Sequence, residues 1–180
     1  MTNVSPKKNK VATIAFVALF GVLAVLALVF SCLQEETVRP MVKDFADWVA
    51  KVVNAFAKGT VDGGNASWFR AVIRNLFGHF FLFMLLGVFA DLSTARLLPF
   101  KKLPWLFSAL VAFGACAVLA FLFEGLQMIP ALDRPASWSH VGIDVGGAAL
   151  GVLLALLVAT FVKVLKSEPE DDGKKKKQRL

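Results

Sequence analysis

Residues 124–151 read EGLQMIPALDRPASWSHVGIDVGGAALG, and this stretch joins two long apolar runs. Glu124 ends the first run and Asp144 lies just inside the second. A carboxylate facing hydrocarbon is expensive, about 2.5–3.5 kcal/mol on insertion scales, so an acid at such a place marks a functional position by default. Pro130 and Pro135 interrupt any helix that continues past Glu124, which makes the connection short and irregular. The stretch therefore reads as the end of one membrane-spanning helix, a turn, and the start of the next.

The rest of the chain fits that reading. Of its 180 residues 57% are hydrophobic and only 18% charged, with a mean hydropathy of +0.67. Soluble domains run lower, and no length is left over for a second, soluble domain. A bilayer-spanning helix needs about 20 apolar residues. Four stretches approach this: residues 11–33, 71–92, 103–123 and 141–165. The expected fold is all-α, an integral membrane four-helix bundle.

Lysine and arginine set the expected orientation. The N-terminal segment, the short loop carrying Arg96, Lys101 and Lys102, and the C-terminal tail share one side of a four-span protein and hold 13 of the 20 basic residues. The positive-inside rule puts these segments, and both termini, in the cytoplasm. The net charge of +7 thus reflects topology and not a nucleic-acid footprint. Residues 1–10 are read as a cytoplasmic basic segment. The tail 166–180 is read as disordered, a topology anchor whose basic run is also able to touch anionic headgroups.

Residues 34–70 then face outward. Val38, Met41, Val42, Phe45, Val49, Val52, Val53 and Phe56 recur at helical spacing, with Lys43, Asp44, Asp47, Lys51 and Asn54 on the other face. This predicts an amphipathic helix between spans one and two, lying in the outer interface or packing against the bundle. Residues 60–67 read as a flexible loop, in which Asn65-Ala66-Ser67 fits a glycosylation acceptor. Lys7–Lys10 followed by an apolar run and Cys32 resembles a lipoprotein signal. The apolar run exceeds the roughly 7–15 residues of a signal core, which favours an uncleaved helix. With only Cys32 and Cys116, and only His79 and His140, neither a disulfide framework nor a metal-ligand spacing is present in the pattern, and no cofactor is implied.

The topology predicts a convergence. His79 on the second span, Glu124 and Gln127 at the end of the third, and Asp144 at the start of the fourth all fall near one depth under the outer surface, with Asp133 and Arg134 in the connecting loop. Facing inward, the acids pair with His79 or with Arg134, whose planar fork suits carboxylates. The same cluster also serves as a structural polar knot joining three helices. Gly147, Gly151 and Ala155 recur every four residues on the fourth span, a small-residue face for close helix contact. Trp138 suits the interfacial aromatic belt.

At these residues the chain resembles the VanZ-like family. The block His79-Phe80-Phe81-Leu82-Phe83-Met84-Leu85-Leu86-Gly87 keeps His79, Phe80, an aromatic at 83, Leu86 and Gly87 of a His-Phe-x-Glu-Tyr-x-x-Leu-Gly pattern. It has Leu82 at the usual Glu and Leu76 at a usual Lys, with Arg74 the nearest base. The second block is Glu124-x-x-Gln127, Pro130, Arg134, Ser137, Asp144-Val145 and Gly151, with Ala148 at a usual Asn and Arg134 one residue displaced. The two blocks cover about half the chain and make 71–165 a VanZ-like three-helix core. The resemblance implies a small bacterial membrane protein with a role in glycopeptide (teicoplanin-type) tolerance or envelope maintenance.

Three functions are weighed on these residues. An envelope-tolerance protein would bind a lipid headgroup, a lipid-linked wall precursor or a lipidated glycopeptide through His79, Glu124, Gln127, Arg134, Ser137 and Asp144. An intramembrane acid–base enzyme would use an acid with His79, although the chain has no nucleophile elbow, His-Glu-x-x-His or phosphate loop. A scaffold subunit would use the small-residue face. A transporter would need an oligomer, because four helices alone make a narrow path.

Overall fold

A computed structural model describes residues 6–33, 35–98, 104–132 and 137–167. Arg134, Asp133, Pro135, Lys101, Lys102 and the tail beyond residue 167 lie outside the described residues. The described elements are all helical: α1 Pro6–Cys32, α2 Glu35–Phe56, α3 Ala66–Ile73, a π-helix Arg74–Phe80, α4 Phe81–Leu97, α5 Pro104–Gln127, a 3-10 turn Pro130–Leu132 and α6 Trp138–Ser167. Four stretches are long and apolar enough to cross a membrane: Lys10–Cys32, Ala66–Leu97, Trp105–Gln127 and Trp138–Leu165. The second exceeds the expected 71–92 at both ends, because α3, the π-helix and α4 run on as one rod.

The rod's lower half, α4, is the centre of the bundle, with α6, α5 and α1 packed around it. The interior is built from small residues and few large ones: Ala112, Cys116, Ala120 and Ala148 are fully buried beside Leu86, with Phe83 against Phe123. The exterior is the reverse, with Val22, Val118, Leu122, Leu157 and Phe161 all exposed. Apolar exposure on this scale is stable against lipid and not against water.

Small residues let two of the helices touch at their backbones. A Cβ added to Gly147 would collide with the carbonyl oxygen of Phe80, one on Gly151 with that of Met84, and one on Gly87 with that of Ala148. Ala155 continues the face one turn on and is buried. At the opposite end from α2, the Arg96 guanidinium lies 4.4 Å from the centre of the Phe16 ring, tying α1 to α4.

Helix α2 packs against the rod. Asp47 pairs with Arg70 at 2.9 Å, Phe45 meets Phe77 edge-on at 5.2 Å, and Ala46 is fully buried, whereas Trp48 and Phe56 stay exposed. The loop after α2 turns at Gly59, whose φ of +76° suits glycine. Side chains then close it. Asp62 Oδ1 accepts from the N–H groups of Gly64 and Asn65, and Asn65 Nδ2 donates to Thr60 O at 2.8 Å. Asn54 brackets Val61 with two more bonds. Asn65, the candidate glycosylation acceptor, is thus a structural member of the turn, and residues 60–65 are more tightly tied than their composition suggests.

The glycine contacts make opposite predictions on one helix. Gly151→Val forces α4 and α6 apart and is expected to cost about 1–3 kcal/mol of stability. Gly146→Ala, where an added Cβ meets nothing within 4 Å, is expected to gain about 0.5–1 kcal/mol through lower backbone entropy. Thermal unfolding of the detergent-purified variants reads both signs.

Candidate functional site

The π-helix decides where the second span aims its side chains. Its wider turns insert about one extra residue relative to an α-helix, which rotates α3 by about 100° relative to α4. His79 sits in this segment, directly before Phe80, where the glycine contacts begin. Because Gly147 admits the Phe80 carbonyl, α6 comes close enough for Asp144, one turn earlier on α6, to reach His79. Nδ1 of His79 lies 3.1 Å from Oδ1 of Asp144, within hydrogen-bond distance. The two side chains are 12% and 3% exposed.

A second pair stands beside the first. Nδ1 of His140 lies 3.3 Å from Oε1 of Glu124, and the Ser137 backbone N–H donates to the same oxygen. Ser137 Oγ and Ser139 Oγ share a hydrogen bond of 2.6 Å. The His79 and His140 rings stack, with centroids 4.6 Å apart and planes 19° from parallel. Asp144, His79, His140 and Glu124 therefore form one continuous row, made of two buried carboxylates, each paired with a half-buried imidazole, joined by a ring stack.

The row separates two cavities. On one side is a slot of about 360 Å³, within the size range of small-molecule sites. Phe30 of α1, Met41 and Phe45 of α2, Phe77 and Leu82 of the rod and Phe123 of α5 make its walls, and Arg74, His79, Gln127 and Asp144 supply its polar surface. On the other side is a crevice of about 150 Å³, lined by Glu124, Ser137, Trp138 and neighbours. The exposed Trp138 ring meets Phe121 there at 6.2 Å. Nε of Arg74 and Oδ1 of Asn75 are buried without a hydrogen-bond partner among the described residues. Among those residues no three His, Cys, Asp or Glu side chains are grouped to hold a metal ion.

Of the residues singled out in the sequence, the fold brings His79, Gln127 and Asp144 to the slot. Glu124 and Ser137 are one step removed, joined to the slot through His140. Glu124 does not bond to His79 directly, because His140 stands between them. Arg134 is outside the described residues. His140 is the member of the row that the sequence pattern did not single out. Its signal was its position four residues before Asp144 on α6, which puts both on one helical face. Arg74 was noted only for its place near His79, and its contribution to the slot depends on the π-helix.

No family model matches the chain, and neither the curated proteins nor the solved structures contain a match.

The stack makes the two pairs energetically dependent. His79→Ala and His140→Ala, singly and together, are expected to show a coupling of about 0.5–3 kcal/mol in a double-mutant cycle on unfolding. His79→Ala with Ser93→Ala, at the far end of α4, is expected to add within about 0.5 kcal/mol.

Proposed function

We propose that this chain is a VanZ-like protein of the bacterial cytoplasmic membrane that contributes to glycopeptide (teicoplanin-type) tolerance or envelope maintenance by binding a polar amphiphile at the outer leaflet. Both termini are cytoplasmic in this reading, from the distribution of Lys and Arg, so the slot opens on the outer side. The observation that carries the proposal is the meeting of an apolar slot with two imidazole–carboxylate pairs, their carboxylates buried, at one end of the bundle. A structural knot alone has no use for a cavity beside it. An amphiphile does, because its chain needs apolar walls and its head needs fixed polar groups. The His79 and Asp144 pair supplies both a donor and an acceptor, and Gln127 adds an amide within the same wall. The exposed rings of Trp68 and Trp138 suit the headgroup level.

Asp144→Ala and Glu124→Ala are expected to lower glycopeptide tolerance towards that of cells lacking the protein, with the protein still in the membrane at normal levels. Full tolerance in both variants at normal levels would refute the reading.

A second reading has one observation of its own. His79 lines the slot while its Nδ1 is held by a carboxylate, an arrangement that serves general acid–base catalysis. An intramembrane enzyme acting on a headgroup would release product in the presence of purified protein and lose that activity in Asp144→Asn. Absence of turnover across lipid and wall-precursor substrates would leave the binding reading alone.

A further inference from the structure

Beside the slot lies a second cavity of about 480 Å³, between α2 and the rod. Its charged lining is Arg39 and Lys43 from α2 with Arg70 and Arg74 from the rod, and none of its lining residues is acidic. Each helix contributes two cations spaced four residues apart, so both present them on one face. Asp47 pairs with Arg70 from outside the lining. With Arg70 already balanced by Asp47, Lys43 and Arg74 still add positive charge to a lining without an acid, which favours an anion there. A merely solvated basic surface would leave its donors in water, whereas Nε of Arg74 is buried and unpartnered among the described residues.

This basic cavity adjoins the slot, since Val38, Val42 and Arg74 line both. The lengths fit a membrane interface. The rod from Ala66 to Leu97 has 32 residues, about 48 Å at about 1.5 Å per residue, against a hydrocarbon core of about 30 Å. Counting about 20 residues back from Leu97 puts the hydrocarbon edge near Phe77. Arg70 and Arg74 then stand at headgroup level, with the slot beneath them.

We propose that the ligand is a phosphate-bearing amphiphile, with its phosphate held by Arg39, Lys43, Arg70 and Arg74 and its apolar chain lying in the slot against Phe45, Phe77 and Leu82. This rests on the amphiphile-binding reading above and names the chemistry of the head. Arginine forks match phosphate oxygens, and basic pockets between membrane helices take anionic headgroups. The chain alone gives no preference for charge, and the phosphate alone gives no use for the slot, so the two cavities together select molecules that carry both.

The test titrates the full-length protein, in phosphate-free maltoside micelles, with oleoyl lysophosphatidic acid, with mono-oleoylglycerol and with inorganic phosphate, and counts bound ligand by native mass spectrometry. The lipid phosphate is expected to bind about tenfold or more tighter than either partial ligand, as charge-assisted hydrogen bonds to phosphate imply. Arg39→Gln with Lys43→Gln, both exposed on α2, is expected to remove that advantage and leave mono-oleoylglycerol binding unchanged. Leu82→Trp, which fills the slot, is expected to weaken both lipids and spare inorganic phosphate. Equal binding of the charged and neutral lipids, phosphate binding as strong as lipid phosphate binding, or an Arg39→Gln/Lys43→Gln variant that binds like the parent would each overturn the proposal. Glycopeptide tolerance of the same double variant separates the two readings. Selective binding that is lost without loss of tolerance keeps the ligand class and removes the tolerance role. Tolerance lost without selective binding does the opposite.

Discussion

The arrangement of this protein depends on the backbone contact between α4 and α6. Gly147 and Gly151 on one helix and Gly87 on the other leave no room for a Cβ, and each faces a carbonyl oxygen of its neighbour. Among helices with apolar exteriors, burial of more apolar surface gives little advantage in lipid, so close packing and interhelical polar bonds determine which faces meet. Here the two act on the same helix pair. The glycines set the distance, and one turn away His79 and Asp144 bond across it.

The polar row would be costly if any member stood alone. A buried carboxylate without a partner loses its hydration and gains nothing in return. Asp144 has His79, and Glu124 has His140 and the Ser137 backbone N–H. The stacking of the two rings then makes one row out of two pairs. Three helices are joined in this way, the rod, α5 and α6, and the row also forms the boundary between the slot and the smaller crevice. Side chains that hold the helices together therefore also present their edges to a cavity.

Helix α2 gives the slot its remaining wall. The Asp47–Arg70 pair and the Phe45–Phe77 ring contact dock it against the rod, and the docking encloses apolar space on one side and basic space on the other. The amphipathic pattern of residues 38–56 carries both properties at once: Val38 and Val42 line both cavities, and Arg39 and Lys43 face the basic one.

Much of this was legible in the residues alone. Four apolar runs, the prolines after Glu124, the period of residues 38–56 and the four-residue spacing of Gly147, Gly151 and Ala155 are local patterns, and local patterns determine helices, their lengths and their apolar or small-residue faces. That His79, Glu124 and Asp144 would lie at one end of a bundle was implied by span order. Their pairing was not, because it depends on rotation about the helix axes. The π-helix turns His79 towards α6, a register change that no spacing in residues 74–80 announces. With that rotation fixed, Asp144 takes His79, His140 enters between His79 and Glu124, and Gln127 is left on the slot. The cavities themselves belong wholly to the tertiary structure, since their volumes are set by how closely glycine and alanine let the helices approach and by where α2 docks. The sequence determined which side chains were available and at what depth; the packing distances and axial rotations decided which of them meet.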